Sequence, residues 1–351
     1  MTIMEQYQNQ VKEFDEQLEA GTLPLAKMHI LQELKYRISV MQSLRAFSKL
    51  APKTLDKQKI SYHYQITRTY LLLLVGGHPL GPNVDEEGMQ RRETAEESLL
   101  RVVEDGVRRY GMHGTSHKFV SIEMNKILGS TDTKLVTCHI GNGSSISAVM
   151  NGKCVDTTMG FTPLDGVEMG TRCGSIDPAI VPFLMKKYNI GVDEISDYLN
   201  KKCGFLGISE YSSDSRDIEA AIRGEFNEKL STCPTTDEQK ARVSKNSKLA
   251  AEILAYQVKK YIGSFAASMN GLDAVVFTAG MGENNPELRE RACANMEYMG
   301  IKINKELNAK TLRQPNTVEI STPDSKVKVY VLPTNEELMI AFDTEKVVNS
   351  K

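Results

Sequence analysis

Two short segments place glycines, amides and hydroxyls directly behind apolar runs. In Cys138-His139-Ile140-Gly141-Asn142-Gly143-Ser144-Ser145 an apolar run gives way to two glycines around an asparagine, then two serines. Glycines let backbone N–H groups approach an anion closely, and the amide and hydroxyls add donors without bulk. The segment suits a phosphate-binding hairpin, and a plain tight β-turn equally well. Phe277-Thr278-Ala279-Gly280-Met281-Gly282-Glu283-Asn284-Asn285 repeats the design as strand, glycine loop and helix, and a helix N-terminus favours negative charge. Neither has the spacing of a Walker motif or a Rossmann fingerprint, so together they point to a different nucleotide fold.

Charged and titratable residues cluster near such segments. His113 and His117 stand four apart in Tyr110-Gly111-Met112-His113-Gly114-Thr115-Ser116-His117, one face of a helix if the segment enters one. No carboxylate or cysteine stands at a matching spacing to complete a metal site. His113 could instead donate to a phosphoryl oxygen, with Thr115 or Ser116 as helix cap. The irregular but partly apolar run Met159 to Gly174 carries Arg172. Its guanidinium would either stabilise charge on a transferring phosphoryl group or form a surface salt bridge. In Pro333-Thr334-Asn335-Glu336-Glu337-Leu338, Thr334 or Asn335 can cap a helix. Glu336 there either complements the helix dipole or holds Mg²⁺ through water.

The elements that must position these residues follow from periodicity. Tyr7, Val11, Phe14 and Leu18 predict a helix over Glu5 to Glu19, stopped at Gly21. A second helix is expected from Thr22 towards Leu50, an ambiguous segment over Ile60 to Leu74, a loop from Gly76 to Pro82, and a charged helix over Glu87 to Asp105. From Tyr110 the texture changes. Strands are expected at Lys134 to Ile140, at Ile146 to Val149 and Lys153 to Thr157 around an Asn151-Gly152 turn, at Ala274 to Thr278 and at Val327 to Leu332. Helices are expected at Asp177 to Tyr188, Val192 to Asn200, Ser213 to Ile222, Lys245 to Met269, Pro286 to Tyr298 and from Asn335. Alternating strands and helices indicate an α/β layered domain.

Composition narrows the function classes. With 43 Lys+Arg against 45 Asp+Glu among 351 residues, the chain lacks the basic excess of a nucleic-acid binder. The longest purely apolar stretch, Leu71 to Val75, is far short of the roughly 20 residues that span a bilayer. Neither a signal peptide nor a transit sequence is visible, which makes a cytoplasmic protein the default. Six scattered cysteines without a CxxC pair suit reduced thiols.

In this order, Arg108 to His117, His139 to Ser145, Asp156 to Gly174, Ser212-Ser213-Asp214-Ser215-Arg216-Asp217, Phe277 to Asn284 and Pro333 to Leu338 resemble the acetate kinase family. That family belongs to the acetate and sugar kinase/Hsp70/actin superfamily. The resemblance runs from about Val107 to the C-terminus. It implies an α/β fold with one complete actin-like, ribonuclease H-like kinase lobe over 107–351, beside a helix-rich segment over 1–106. It also implies the reaction ATP + acetate ⇌ ADP + acetyl phosphate, with Mg²⁺ or Mn²⁺, and a homodimer. His113 and Arg172 correspond to transition-state residues. His139, Ile140, Gly141, Asn142 and Gly143 correspond to the phosphate loop. Asp214, Ser215, Arg216, Gly280, Met281, Gly282, Glu283 and Asn284 correspond to the nucleoside site, and Glu336 to the metal site.

Some positions depart from the family pattern. Ser215 stands where an aromatic is common beside the adenine, and Met112 stands where Phe usually precedes the histidine. The family also begins with an Asn-x-Gly-Ser-Ser-Ser loop, followed by Gly-His-Arg and Phe-Asp-Thr segments, and residues 1 to 106 contain none of the three. The expectation is therefore a chain of the family that is weak or inactive as a kinase. The alternatives are a nucleotide-binding remnant without catalysis, or a partner-binding protein that docks through its N-terminal helices.

Overall fold

The computed structural model describes residues 3–20 and 109–349, and the chain divides into two units at Arg108/Arg109. The described part of the first unit is helix α1 (Ile3–Glu19), which matches the predicted span and buries Phe14. The segments expected between Thr22 and Asp105 lie outside the described residues.

The second unit runs α2 (Gly114–Leu128), β1 (Lys134–Ile140), β2 (Ser144–Met150), β3 (Lys153–Thr157), α3 (Ile180–Tyr188), α4 (Val192–Lys201), α5 (Gly204–Ser209), α6 (Ser215–Ile222) and α7 (Asp237–Ser268). It continues with β4 (Ala274–Thr278), α8 (Ala279–Asn284), α9 (Pro286–Cys293), α10 (Lys305–Lys310), β5 (Val318–Glu319), β6 (Lys328–Val331) and α11 (Glu336–Asn349). The six strands form one sheet in the order β3-β2-β1-β4-β6-β5. β1, β2 and β3 are an antiparallel meander, while β1, β4 and β6 run parallel. This is the α/β, ribonuclease H-like sheet of the actin-like kinases.

The period of two in the strands decides what each face meets. Val136, Cys138 and Ile140 of β1 pack with Val275 and Phe277 of β4, Val329 and Val331 of β6, and Ala251, Leu254 and Val258 of α7. The intervening Leu135 meets Phe119, Val120 and Met124 of α2, with Val276 and Tyr330. On that second face the last turns of the pattern are polar. Thr137 pairs with Ser147 and His139 with Ser145 across the β1–β2 ladder, and all four are buried. A sheet with an apolar body and a polar end is what a site at the strand termini requires.

Several boundaries differ from the sequence reading for physical reasons. α7 starts eight residues before Lys245, because Thr236 and Gln239 form a reciprocal capping box ahead of a polar first stretch. α3 starts at Ile180, because the Asp177 carboxylate first accepts the Ala179 N–H at 2.9 Å. α9 stops at Cys293, since Asn295 takes a left-handed φ of 58°, and Glu297–Met299 is a separate 3₁₀ turn. The glycine loop expected after β4 is instead the one-turn helix α8. The short elements α5, α10 and β5 carry too few periodic residues to be read from sequence. Among the described residues no helix is long and apolar enough to cross a membrane.

Candidate functional site

The hairpin between β1 and β2 is three residues, Gly141, Asn142 and Gly143, closed by the Gly141 N–H donating to the Gly143 carbonyl at 3.2 Å. A Cβ on Gly143 would lie 3.3 Å from Arg172 Nη1 and 3.5 Å from His113 Nε2. The space above the hairpin is therefore lined by a guanidinium and an imidazole. A Cβ on Gly170 would meet Asn142 Oδ1 at 2.6 Å and the Ser213 carbonyl at 2.9 Å. Only glycine lets the Met159–Gly174 loop close on both the hairpin and the segment before α6.

His113 precedes α2 with φ 58° and no side-chain cap bond. Left-handed backbone at a non-glycine residue is a strained state that clusters at functional sites. Neither Thr115 nor Ser116 serves as the cap; Ser116 Oγ instead lies 2.8 Å from Thr334 Oγ1 and 2.8 Å from His139 Nδ1. The His113 ring stacks on His139 at 3.9 Å and 14°, and its Nδ1 lies 2.9 Å from Ser145 Oγ. His117 Nε2 reaches the same hydroxyl at 2.7 Å, and its Nδ1 reaches Thr137 Oγ1 at 2.7 Å.

Burial keeps these imidazoles neutral. His117 and His139 are pushed down to about 3, chiefly by desolvation and then by neighbouring histidines. His113 is lowered by desolvation first and by Arg172 second. Arg172 donates to the Pro163 carbonyl at 3.3 Å and forms no ion pair among the described residues, so the salt-bridge reading of this arginine has no partner to support it. At the end of β4, opposite His139, the buried Thr278 hydroxyl has no hydrogen-bond partner among the described residues. An unpaired cation, a glycine-lined gap and an orphaned hydroxyl fit an anionic group.

The remaining predicted residues divide into two sets. Asp214 caps α6, accepting the Arg216 N–H at 2.8 Å, and pairs with the Arg216 guanidinium, whose hydrogen bonds hold its carboxyl below the usual range. Ser215, Glu219, Met281, Asn285 and Arg291 line one narrow recess with room for little more than a water molecule. Glu283 and Asn284 are engaged within the fold. The Glu283 carboxylate accepts the N–H of Ala279 at 2.8 Å and of Thr334 at 3.3 Å, and Asn284 accepts the Arg313 N–H at 3.0 Å. Asn335 is the cap of α11, accepting the Leu338 N–H at 2.9 Å. Glu336, two residues past Thr334, is half-buried and makes no ion pair among the described residues. No cluster of three or more His, Cys, Asp or Glu side chains able to hold a metal occurs among them. A lone free carboxylate suits a cation whose other ligands are phosphate oxygens and water.

Sequence reasoning missed the bridging role of Ser145 and the partners of His117, which depend on contacts 20 to 32 residues apart. It also missed Glu168, which is buried with Oε1 unpartnered among the described residues. Desolvation raises this carboxyl to about 8, beside the Met169 whose Sδ touches Arg172. A glutamate between Val167 and Met169 in an apolar run was the available signal. A Phe-Asp-Thr tripeptide does occur, at Phe342 to Thr344 on α11, where Asp343 pairs with Lys118.

A ribonuclease H-like sheet with a guanidinium and an imidazole over the hairpin at its strand ends has the architecture of one lobe of an actin-like kinase. The acetokinase family matches residues 93–342, and the chain belongs to that family. It is 52% identical over 246 residues to an acetate kinase of Thermotoga maritima, covering 69% of this chain and 56% of that one. The structure resembles an acetate kinase of Porphyromonas gingivalis, with TM-score 0.63 and 43% identity over 71% of this chain and 58% of that one. It also resembles a propionate kinase of Francisella tularensis, with TM-score 0.58 and 37% identity over 68% and 56%. The chain thus spans little more than half the length of the curated relatives it matches.

Proposed function

We propose that this chain carries the nucleotide- and phosphoryl-binding half of an acetate kinase and performs ATP + acetate ⇌ ADP + acetyl phosphate at a reduced rate. The observation that supports this most is Arg172 Nη1 and His113 Nε2 meeting over Gly143 without a carboxylate between them. In the forward direction a carboxylate oxygen of acetate attacks the γ-phosphorus, the bond to the β,γ-bridging oxygen breaks, and ADP leaves. Arg172 and His113 stabilise charge on the transferring group, and the hairpin with Asn142 positions the phosphates. Asp214, Ser215, Arg216 and the α8 turn take the nucleoside. Glu336 would hold Mg²⁺ or Mn²⁺ through water, and that cation would neutralise phosphate charge.

The rate is reduced because the family's serine loop, substrate arginine and aspartate segments are not found in residues 1 to 106. Each lost transition-state donor lowers turnover by about a hundred- to a thousandfold. That same observation favours a second reading, nucleotide binding without transfer. ATP, acetate, Mg²⁺ and hydroxylamine should give slow acetyl hydroxamate formation that Arg172→Ala abolishes. If no hydroxamate forms above a blank, the second reading replaces the first.

The acyl group is acetate in this reading. Propionate competes, because one methylene is worth only about 1–3 kcal/mol in an apolar pocket. Self-association is supported by α3, an apolar helix none of whose residues is buried, with Phe183 58% and Tyr188 59% exposed. A hydrodynamic mass of one chain, unchanged by Phe183→Glu, would remove that part of the reading.

A further inference from the structure

We propose that Ser145, His117 and Thr137 are positioning residues that keep the proton of His113 on Nδ1. The Nε2 facing the hairpin is then bare in the neutral protein, and it becomes a donor to an anion only by taking up a proton. This goes beyond the role assigned to His113 above and rests on that reading for its functional meaning.

Ser145 Oγ lies 2.9 Å from His113 Nδ1, 2.7 Å from His117 Nε2 and 3.4 Å from the Met112 carbonyl. Thr137 Oγ1 lies 2.7 Å from His117 Nδ1 and 3.4 Å from the Ser147 carbonyl. Each hydroxyl has one proton to give, and each neutral imidazole has one. In one direction Thr137 donates to the Ser147 carbonyl, His117 Nδ1–H to Thr137, Ser145 to His117 Nε2, and His113 Nδ1–H to Ser145. In the other, Thr137 donates to His117 Nδ1, His117 Nε2–H to Ser145, and Ser145 to the Met112 carbonyl, with His113 Nδ1–H again donating to Ser145. Both arrangements fill four contacts. Moving the His113 proton to Nε2 leaves three protons for the same contacts and turns an N–H towards the guanidinium of Arg172, where a lone pair is favoured.

The groups facing His113 are His139 of β1, stacked on its ring, His117 of its own helix through Ser145, and Arg172 of the 159–174 loop. Neither histidine carries charge at neutral pH, and the arginine opposes protonation, so the free protein presents a bare Nε2. An arriving anion reverses that balance. A proton from solvent adds to Nε2, and the resulting imidazolium donates to the anion through Nε2–H while Nδ1–H stays on Ser145.

Sulfate is a suitable probe, since its charge is constant over the range examined. Long-range ¹H–¹⁵N spectra of the ¹⁵N-labelled full chain at pH 8 should show His113 as the Nδ1–H tautomer. Sulfate affinity should fall up to tenfold per pH unit from 6.5 to 8.5, as expected when binding takes up one proton. Ser145→Ala should move His113 to Nε2–H and flatten that dependence, and Ser145→Thr should restore both. An Nε2–H tautomer in the unsubstituted protein overturns the proposal, and that spectrum decides even if Ser145→Ala does not fold. A flat sulfate profile in the unsubstituted protein also overturns it. A protein that binds no sulfate contradicts the phosphate site instead, whereas one that binds sulfate but makes no acetyl hydroxamate contradicts only the transfer reaction.

Discussion

The hairpin at Gly141–Gly143 and the turn at Ala279–Asn284 start alike, each behind a buried strand and each built on two glycines. They end as different devices. The hairpin is surrounded by neutral imidazoles and hydroxyls whose protons can be redistributed. The turn is clamped. Arg289, fully buried, donates to the Gly282 carbonyl at 2.9 Å, to Asn308 Oδ1 at 2.8 Å, to the Asn308 carbonyl at 3.1 Å and to the Thr311 carbonyl at 2.7 Å. Glu283 meanwhile fixes the left-handed Ala279 (φ 65°) by accepting its N–H. One loop is arranged to respond to charge, and the other to hold its shape whatever the charge.

The largest expected effect breaks the clamp. Arg289→Met strands four acceptor atoms in a buried site, and unpaired buried groups cost about 1–3 kcal/mol each before relaxation. The urea midpoint should fall by the equivalent of about 3–5 kcal/mol, since breaking a buried charged network typically costs that much. A loss within 1 kcal/mol would mean that the turn holds itself.

Acid should separate the two loops next. His117 and His139 are held at about 3 in the fold against 6.5 unfolded. As pH falls from 6.5 to 3 the unfolded chain binds protons that the folded chain refuses. Stability is therefore full above pH 6.5 and lost below it at about 1.4 kcal/mol per pH unit for each imidazole. Arg289, lowered by desolvation to about 10, stays charged throughout. Amide exchange should show hairpin protection falling with acid before that of α8. His139→Gln should remove its own share of that slope, about 1.4 kcal/mol per pH unit.

The smallest effects come from the glycines themselves. A Cβ on Gly280 meets nothing within 4 Å, so Gly280→Ala should stabilise by about 0.5–1 kcal/mol through unfolded-state entropy. Gly143→Ala should change stability by less than about 0.5 kcal/mol. It should nevertheless weaken ADP binding about tenfold, because its methyl occupies the space between Arg172 and His113. Thermal melts of both variants and titration calorimetry of Gly143→Ala would check these outcomes.

The sequence made this contrast only half legible. The strands could be read because β4 is a continuous apolar run and β1 sets Leu135, Val136, Cys138 and Ile140 ahead of Gly141, and the Asn151-Gly152 turn because both residues take positive φ, at 54° and 71°. α8 could not, since Gly280 and Gly282 argue against helix and the stabilising Arg289 lies outside the turn. The start of α7 was written in Thr236 and Gln239, while its first stretch offers only Val243 as a buried apolar residue. His113 and Arg172 were visible as residue types beside glycines. The way Ser145 joins two histidines was not, because strand pairing and α2 packing create that proximity.

The most direct test of the central claim, that the hairpin end of this sheet binds phosphate groups, is calorimetric titration of the full chain with ADP and Mg²⁺. The expected result is a saturable heat at up to millimolar ADP that Gly143→Ala weakens about tenfold. No measurable heat at millimolar nucleotide, or a heat that Gly143→Ala leaves unchanged, would contradict that claim.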